Sequence, residues 1–301
     1  MVRYHSTRAA AAACIGLVLW CASCGRREPD YAAPESFIVD PATGIYYVSN
    51  VNTAKLKTKE DETPKREDNN GYITTLDKDL NIVKRRFVAG GRDDAELNDP
   101  KGMAIVGDTL WVADLRVVRA FDKTTGENTA NVSLKKFDAV SLNDVAAGAD
   151  GIIYVSDNLK NKVFQIDTTD RNKAGVFAEG AQLNGPNGLY WHPDEQRLYV
   201  ACWNESTILT IDAEGQVETF MLDAGKFAHL DGIDRDAAGN FYVSDYHKGV
   251  IYRITPDRGV EAVVEKLKTP ADISLDRANN RLLIPQMTAD RITTFDLSGD
   301  D

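Results

Sequence analysis

The stretch GIIYVSD at 151–157, followed by KVFQID at 162–167 and AGVFAEG at 174–180, is the segment on which the fold turns. Val, Ile, Tyr and Phe alternate in it with smaller or polar residues, and Asp-Gly and Asn-rich turns bound each piece. That is the pattern of short antiparallel strands, with no helical period over three turns. Strands like the first of these recur as GIYYVSN (44–50), TLWVAD (109–114), RLYVACW (197–203), NFYVSDY (240–246) and RLLIPQ (281–286). Strands like the second recur as GYITTLD (71–77), VVRAFD (117–122), TILTID (207–212), VIYRIT (250–255) and RITTFD (291–296). A further strand follows most of these: IVKRRFVAG, NTANVSL, AGVFAEG, VETFMLD and EAVVEKL. Four short strands repeated about every 40–45 residues are the blades of a propeller. The expected fold is therefore all-β, a six-bladed β-propeller with a central channel, over residues 35–301. The sixth copy stops after its third strand, so the chain at about 27–33, within a linker at 24–34, is expected to supply the missing outer strand. The first copy is longer by TAKLKTKEDETPKREDNN (53–70), dense in both charges and read as a solvated hairpin tip.

Residues 1–23 read as a signal peptide. Arg3 and Arg8 precede the apolar run 9–19, which is too short to span a bilayer, and Ala22 and Ser23 lead to Cys24. This resembles a lipoprotein signal with Cys24 as the lipidated first residue, although Cys21 stands where such signals usually carry Leu. Soluble secretion after ordinary cleavage is the alternative. The chain is expected to be exported, periplasmic or anchored in the outer membrane of a bacterium, with membrane contact only through the lipid. Cys202 alone then remains, so no intramolecular disulfide is available. Without residues 1–23 the formal net charge moves from −11 to −13. That acidity argues against nucleic acid as a partner and suits cation binding. A monomer is expected.

The six first strands begin PESFIVD (34–40), PKGMAIV (100–106), LNDVAAG (142–148), PNGLYWH (186–192), LDGIDRD (230–236) and PADISLD (270–276). Their second residues, Glu35, Lys101, Asn143, Asn187, Asp231 and Ala271, occupy one pseudo-symmetric position, which in a propeller forms a ring at one mouth of the channel. Four of the six present a side-chain oxygen. Asn and Asp are ordinary turn formers, but turn chemistry would not choose Glu35, nor four oxygens against one Lys and one Ala. An all-oxygen, doubly negative cage suits a hard divalent cation, calcium before magnesium, manganese or zinc; zinc would normally want His or Cys.

The segments P-E-S-F (34–37), L-N-D (142–144), P-N-G-L (186–189) and L-D-G-I-D (230–234) resemble the metal-site motifs of the SMP-30/gluconolactonase/luciferin-regenerating-enzyme family, in the family's order and blade spacing. The resemblance runs from Glu35 to about Asp296 and implies a six-bladed propeller binding one divalent ion through Glu35, Asn143, Asn187 and Asp231. It also implies hydrolysis of a small lactone or ester. Many sugar-lactonase members carry Arg two residues before the first metal Asn. Ser141 stands there, which departs from a gluconolactone-like substrate. The blade grammar is also close to that of NHL-repeat propellers, many of which only bind.

On this expectation the cation polarises the substrate carbonyl. Asp231 both ligates and serves as general base, as the resemblance suggests, while His229, two residues earlier, is the alternative base. Lys101 and Ser141 are the candidate substrate contacts. His192 and His247 read as exposed turn residues, and Cys202 as a buried structural thiol. The competing function is a non-catalytic periplasmic or cell-surface binding propeller with a structural metal or none.

Overall fold

The computed structural model describes residues 30–52, 67–92, 95–222 and 225–297. The expected signal 1–23, Cys24 and most of the charged segment (53–66) lie outside them. Six antiparallel sheets follow in chain order, five of four strands and one, among the described residues, of three. Blade one is Pro34–Val39, Tyr46–Asn50, Tyr72–Leu76 and Ile82–Ala89, each strand paired with the next in sequence. The innermost strands of the others are Pro100–Val106, Leu142–Ala147, Pro186–His192, Leu230–Arg235 and Ser274–Asp276. This is the six-bladed propeller that the repeats dictate.

The core is six wedges rather than one centre. Alternation along each strand sends apolar side chains to both faces of a blade, and each face is buried against the next blade. Six buried clusters result, one per junction. Trp111 and Val118 of blade two pack with Leu142, Ile153 and Phe164 of blade three, while Tyr46, Phe37 and Leu76 of blade one meet Leu283 of blade six.

The outer strand expected at about 27–33 falls only in part on described residues. Residues 24–29 lie outside the described residues. Residues 30–33 are irregular and bond elsewhere than along Arg291–Asp296, the third strand of blade six. The Ala32 N–H donates to Asn50 Oδ1 at 3.0 Å, and the Ala33 N–H donates to Asp290 Oδ1 at 2.7 Å. Tyr31 is buried at the junction of blades one and six. The inner strands of these two blades also bond to each other. The Asp272 N–H donates to Glu35 O at 2.9 Å, the Ser36 hydroxyl to Asp272 Oδ2 at 2.6 Å and the Ser274 hydroxyl to Phe37 O at 2.7 Å. Short inner strands beside the axis leave their ends free to pair with the neighbouring blade.

Candidate metal centre

Every ring residue of the first five blades sits at a β-bulge. In blade one Pro34 faces Asn50 while Phe37 faces Val48, so three steps on the inner strand oppose two on its partner. The same slip occurs at Pro100/Met103, Leu142/Val145, Pro186/Leu189 and Leu230/Ile233. A bulge puts one extra residue on the strand and re-aims its side chain. Here it turns the second residue of the strand toward the axis. In blades one, three and five the bulge is pinned by a serine of the adjacent second strand. Ser49, Ser156 and Ser244 accept the N–H groups of Ser36, Asp144 and Gly232 at 2.9, 2.9 and 2.8 Å. Ser156 and Ser244 then donate to the carbonyls of Asn187 and Ala271 in the next blade, at 2.7 and 2.8 Å.

The asparagine or aspartate that ends a second strand holds the loop leading into its own blade. Asp157 Oδ2 accepts from the N–H of Val140 and Ser141, Asp245 from that of Ala228, and Asp114 from those of Asn98 and Asp99. These residues fix where the ring begins and take no part in it.

Glu35, Asn143, Asn187 and Asp231 are all brought to one mouth, and all are buried. Glu35 Oε2, Asn143 Oδ1, Asn187 Oδ1 and Asp231 Oδ1 are buried oxygens without a hydrogen-bond partner. Buried polar atoms are nearly always satisfied, and four orphans converging from four blades call for an external donor or cation. The amide of Asn187 is oriented by its nitrogen, which donates to Leu230 O at 3.2 Å.

Burial pushes the Glu35 carboxyl well above the usual carboxylate range, Lys101 opposing the rise and Asp231 adding to it. Asp231 is pushed up to about 7 by burial, again against Lys101 and with Asp144 adding. Burial works against the charge of Lys101, but Glu35, Asp99 and Asp231 outweigh it and raise its pKa. Burial thus disfavours charge on both carboxyls, Lys101 favours it, and a dication held between them would favour it further. No group of three or more His, Cys, Asp or Glu arranged for a metal occurs among the described residues. The donor set is two carboxylates and two amides, which fits an oxygen-preferring ion such as calcium and not a zinc site.

A cavity of about 190 Å³ opens on the cage, lined by the four oxygen donors and Lys101, and also by Asn158, Trp203, Tyr246 and Met287. Lys101 is therefore beside the cage as expected. Ser141 and His229 do not line it. Ser141 is half-buried on its loop, with its N–H held by Asp157. His229 lies behind Trp203, ring centroids 4.9 Å apart, and its ring is tilted against that of the exposed His247 at 4.1 Å. Burial, then His247, lowers the pKa of His229. His192 is half-buried against Tyr190 and Tyr199 rather than exposed, because its strand extends through it. Cys202 is buried, and burial pushes its thiol up to about 12. Asn158, Trp203, Tyr246 and Met287 were not legible as site residues from the first-strand column; each follows the end of a second strand.

A sequence model described as the SMP-30/Gluconolactonase/LRE-like region matches residues 33–276. A gluconolactonase from Zymomonas mobilis is 29% identical over 178 residues, which are 49% of this chain and 49% of that protein. The chain thus aligns with about half the length of this curated relative. Among solved structures, regucalcin from Agrobacterium tumefaciens, described as a calcium-binding protein, superposes with a TM-score of 0.63 at 16% identity over 85% of this chain and 82% of its own. A catalytically inactive virginiamycin B lyase from Staphylococcus aureus, solved with quinupristin, gives a TM-score of 0.62 at 15% identity over 89% and 96%. At these identities the two structures speak to the fold alone.

Proposed function

From the premise that the chain belongs to the SMP-30/gluconolactonase/LRE-like family, we propose that it is a divalent-cation-dependent hydrolase of a small lactone or ester, calcium being the resident ion. The observation that carries this reading is the set of four orphaned oxygens, on Glu35, Asn143, Asn187 and Asp231. When bound there, the cation supplies Lewis-acid polarisation of the carbonyl that is attacked. The remaining work falls to side chains of the cavity. Lys101, kept protonated by Glu35, Asp99 and Asp231, offers a positive group to the polarised oxygen or to an anionic part of the substrate. Asp231 is the proton acceptor for the attacking water. It lines the cavity, whereas His229 is separated from it by Trp203. His229 is accordingly a positioning residue for Trp203.

Calorimetric titration of the chelator-stripped protein with calcium, zinc, magnesium and manganese tests the proposal. One calcium site is expected, weakened at least a hundredfold in both Asp231→Ala and Asn187→Ala, with lactone hydrolysis lost in parallel. A wild-type protein that binds none of these ions would remove the hydrolase reading and leave a binding propeller.

A further inference from the structure

The residue immediately after the second strand of each blade forms another pseudo-symmetric column: Val51, Leu115, Asn158, Trp203, Tyr246 and Met287. The second strands run antiparallel to the first, so their ends lie at the mouth where the cage is. Val51 and Leu115 are buried, and the other four line the cavity over the cage.

Three of those four present apolar surface. Trp203 is held from behind by His229, at 4.9 Å, and beside it by Tyr246, at 5.3 Å between ring centroids. The Tyr246 hydroxyl points to Met287 Sδ at 3.5 Å, which turns its polar tip onto another wall residue. Asn158 is the exception, with a buried Oδ1 that has no partner. A polyhydroxylated lactone would set several hydroxyls against this wall with one free acceptor to meet them, and unpaired buried hydroxyls oppose binding. An aromatic or branched alkyl group would instead be buried against Trp203, Tyr246 and Met287.

We infer that this collar selects lactones or esters bearing one aromatic or branched-alkyl substituent, with Asn158 Oδ1 accepting a single O–H or N–H beside it. The inference rests on the lactone or ester reading of the cavity. It is tested by binding, so that its failure is separate from failure of hydrolysis. Calcium-loaded protein is titrated with two non-hydrolysable δ-lactams, one phenyl-substituted and one polyhydroxylated, by calorimetry and tryptophan fluorescence.

The phenyl lactam should bind at least tenfold more tightly and quench Trp203 fluorescence, a signal absent in Trp203→Phe. Trp203→Ala should lose at least tenfold in affinity for it while keeping calcium affinity, which also reports that the variant is folded. Met287→Asn should narrow the preference by strengthening the polyhydroxylated lactam. Equal or tighter binding of the polyhydroxylated lactam, unchanged phenyl-lactam affinity in Trp203→Ala, or no binding of either lactam overturns the inference. Phenyl-lactam binding as expected, without hydrolysis of the matching lactone, supports the collar and overturns the hydrolase alone.

Discussion

At position 188 a side chain has nowhere to go: a Cβ there would stand 2.1 Å from the carbonyl oxygen of Asp231. Gly102 and Gly232 are in the same situation, 2.1 Å from Asp144 Oδ1 and 2.2 Å from the Ile273 nitrogen. Pro-Asn-Gly and Leu-Asp-Gly look like turns in the sequence, yet these glycines lie within inner strands and are there so that blades can touch at the axis. Gly188→Ala should therefore destabilise the fold by about 1–3 kcal/mol. It should also weaken calcium binding, because the obstructing atom belongs to the backbone of a cage residue. Denaturant unfolding and calorimetry measure the two effects. Cys202 shows the opposite use of a buried position. With its thiol held to about 12, alkylating reagents should leave the native protein unlabelled and modify it only in denaturant.

The inner strand with its bulge is the element that makes the site. A regular strand would alternate its side chains across the blade, and the ring residue would lie in a blade interface. The extra residue frees it to face the channel. Ser244 holds one such bulge from both sides, accepting from the Gly232 N–H and donating to Ala271 O. Ser244→Ala leaves both groups without that partner and should cost about 1–3 kcal/mol in denaturant unfolding. It should loosen calcium binding through Asp231, which adjoins Gly232. Blades two and four carry Ala113 and Ala201 at this place and still bulge, so the serine reinforces a geometry that the strand register already imposes. The strands were legible from their alternation. The bulges were not, because a bulge is a slip between two strands and leaves no mark on either alone.

Over the whole molecule the critical contact is between the first blade and the last. Asp276 of blade six accepts from the Tyr46 hydroxyl at 2.5 Å and pairs with Arg281 at 3.0 Å. Burial alone would raise this carboxyl, but hydrogen bonds from Tyr46, Asn279 and Arg281 outweigh it and hold its pKa below the ordinary value. A depressed carboxylate stabilises the fold fully above the ordinary aspartate pKa of about 3.9. That stability disappears as pH falls through the depressed value. Asp276→Asn should thus lower stability at neutral pH and flatten the acid limb of the stability–pH curve, as read by urea unfolding across that range. An unchanged acid limb would show that this pair does not govern closure.

The sequence by itself determined the blade count, the strand order within each blade and the column Glu35, Asn143, Asn187 and Asp231, because repetition makes equivalent positions visible without coordinates. It also showed Lys101 as the charged neighbour of that column. Only the tertiary structure decided that His229 packs against Trp203, that Ser141 does not line the cavity, and that Asn158, Trp203, Tyr246 and Met287 wall it. It also showed which groups of blades one and six meet, Ser36 with Asp272 and Tyr46 with Asp276. The physical reason is one of range. Periodicity is a property of neighbouring residues along the chain, whereas a wall, a vacated loop or a closed ring depends on how blades meet across the axis.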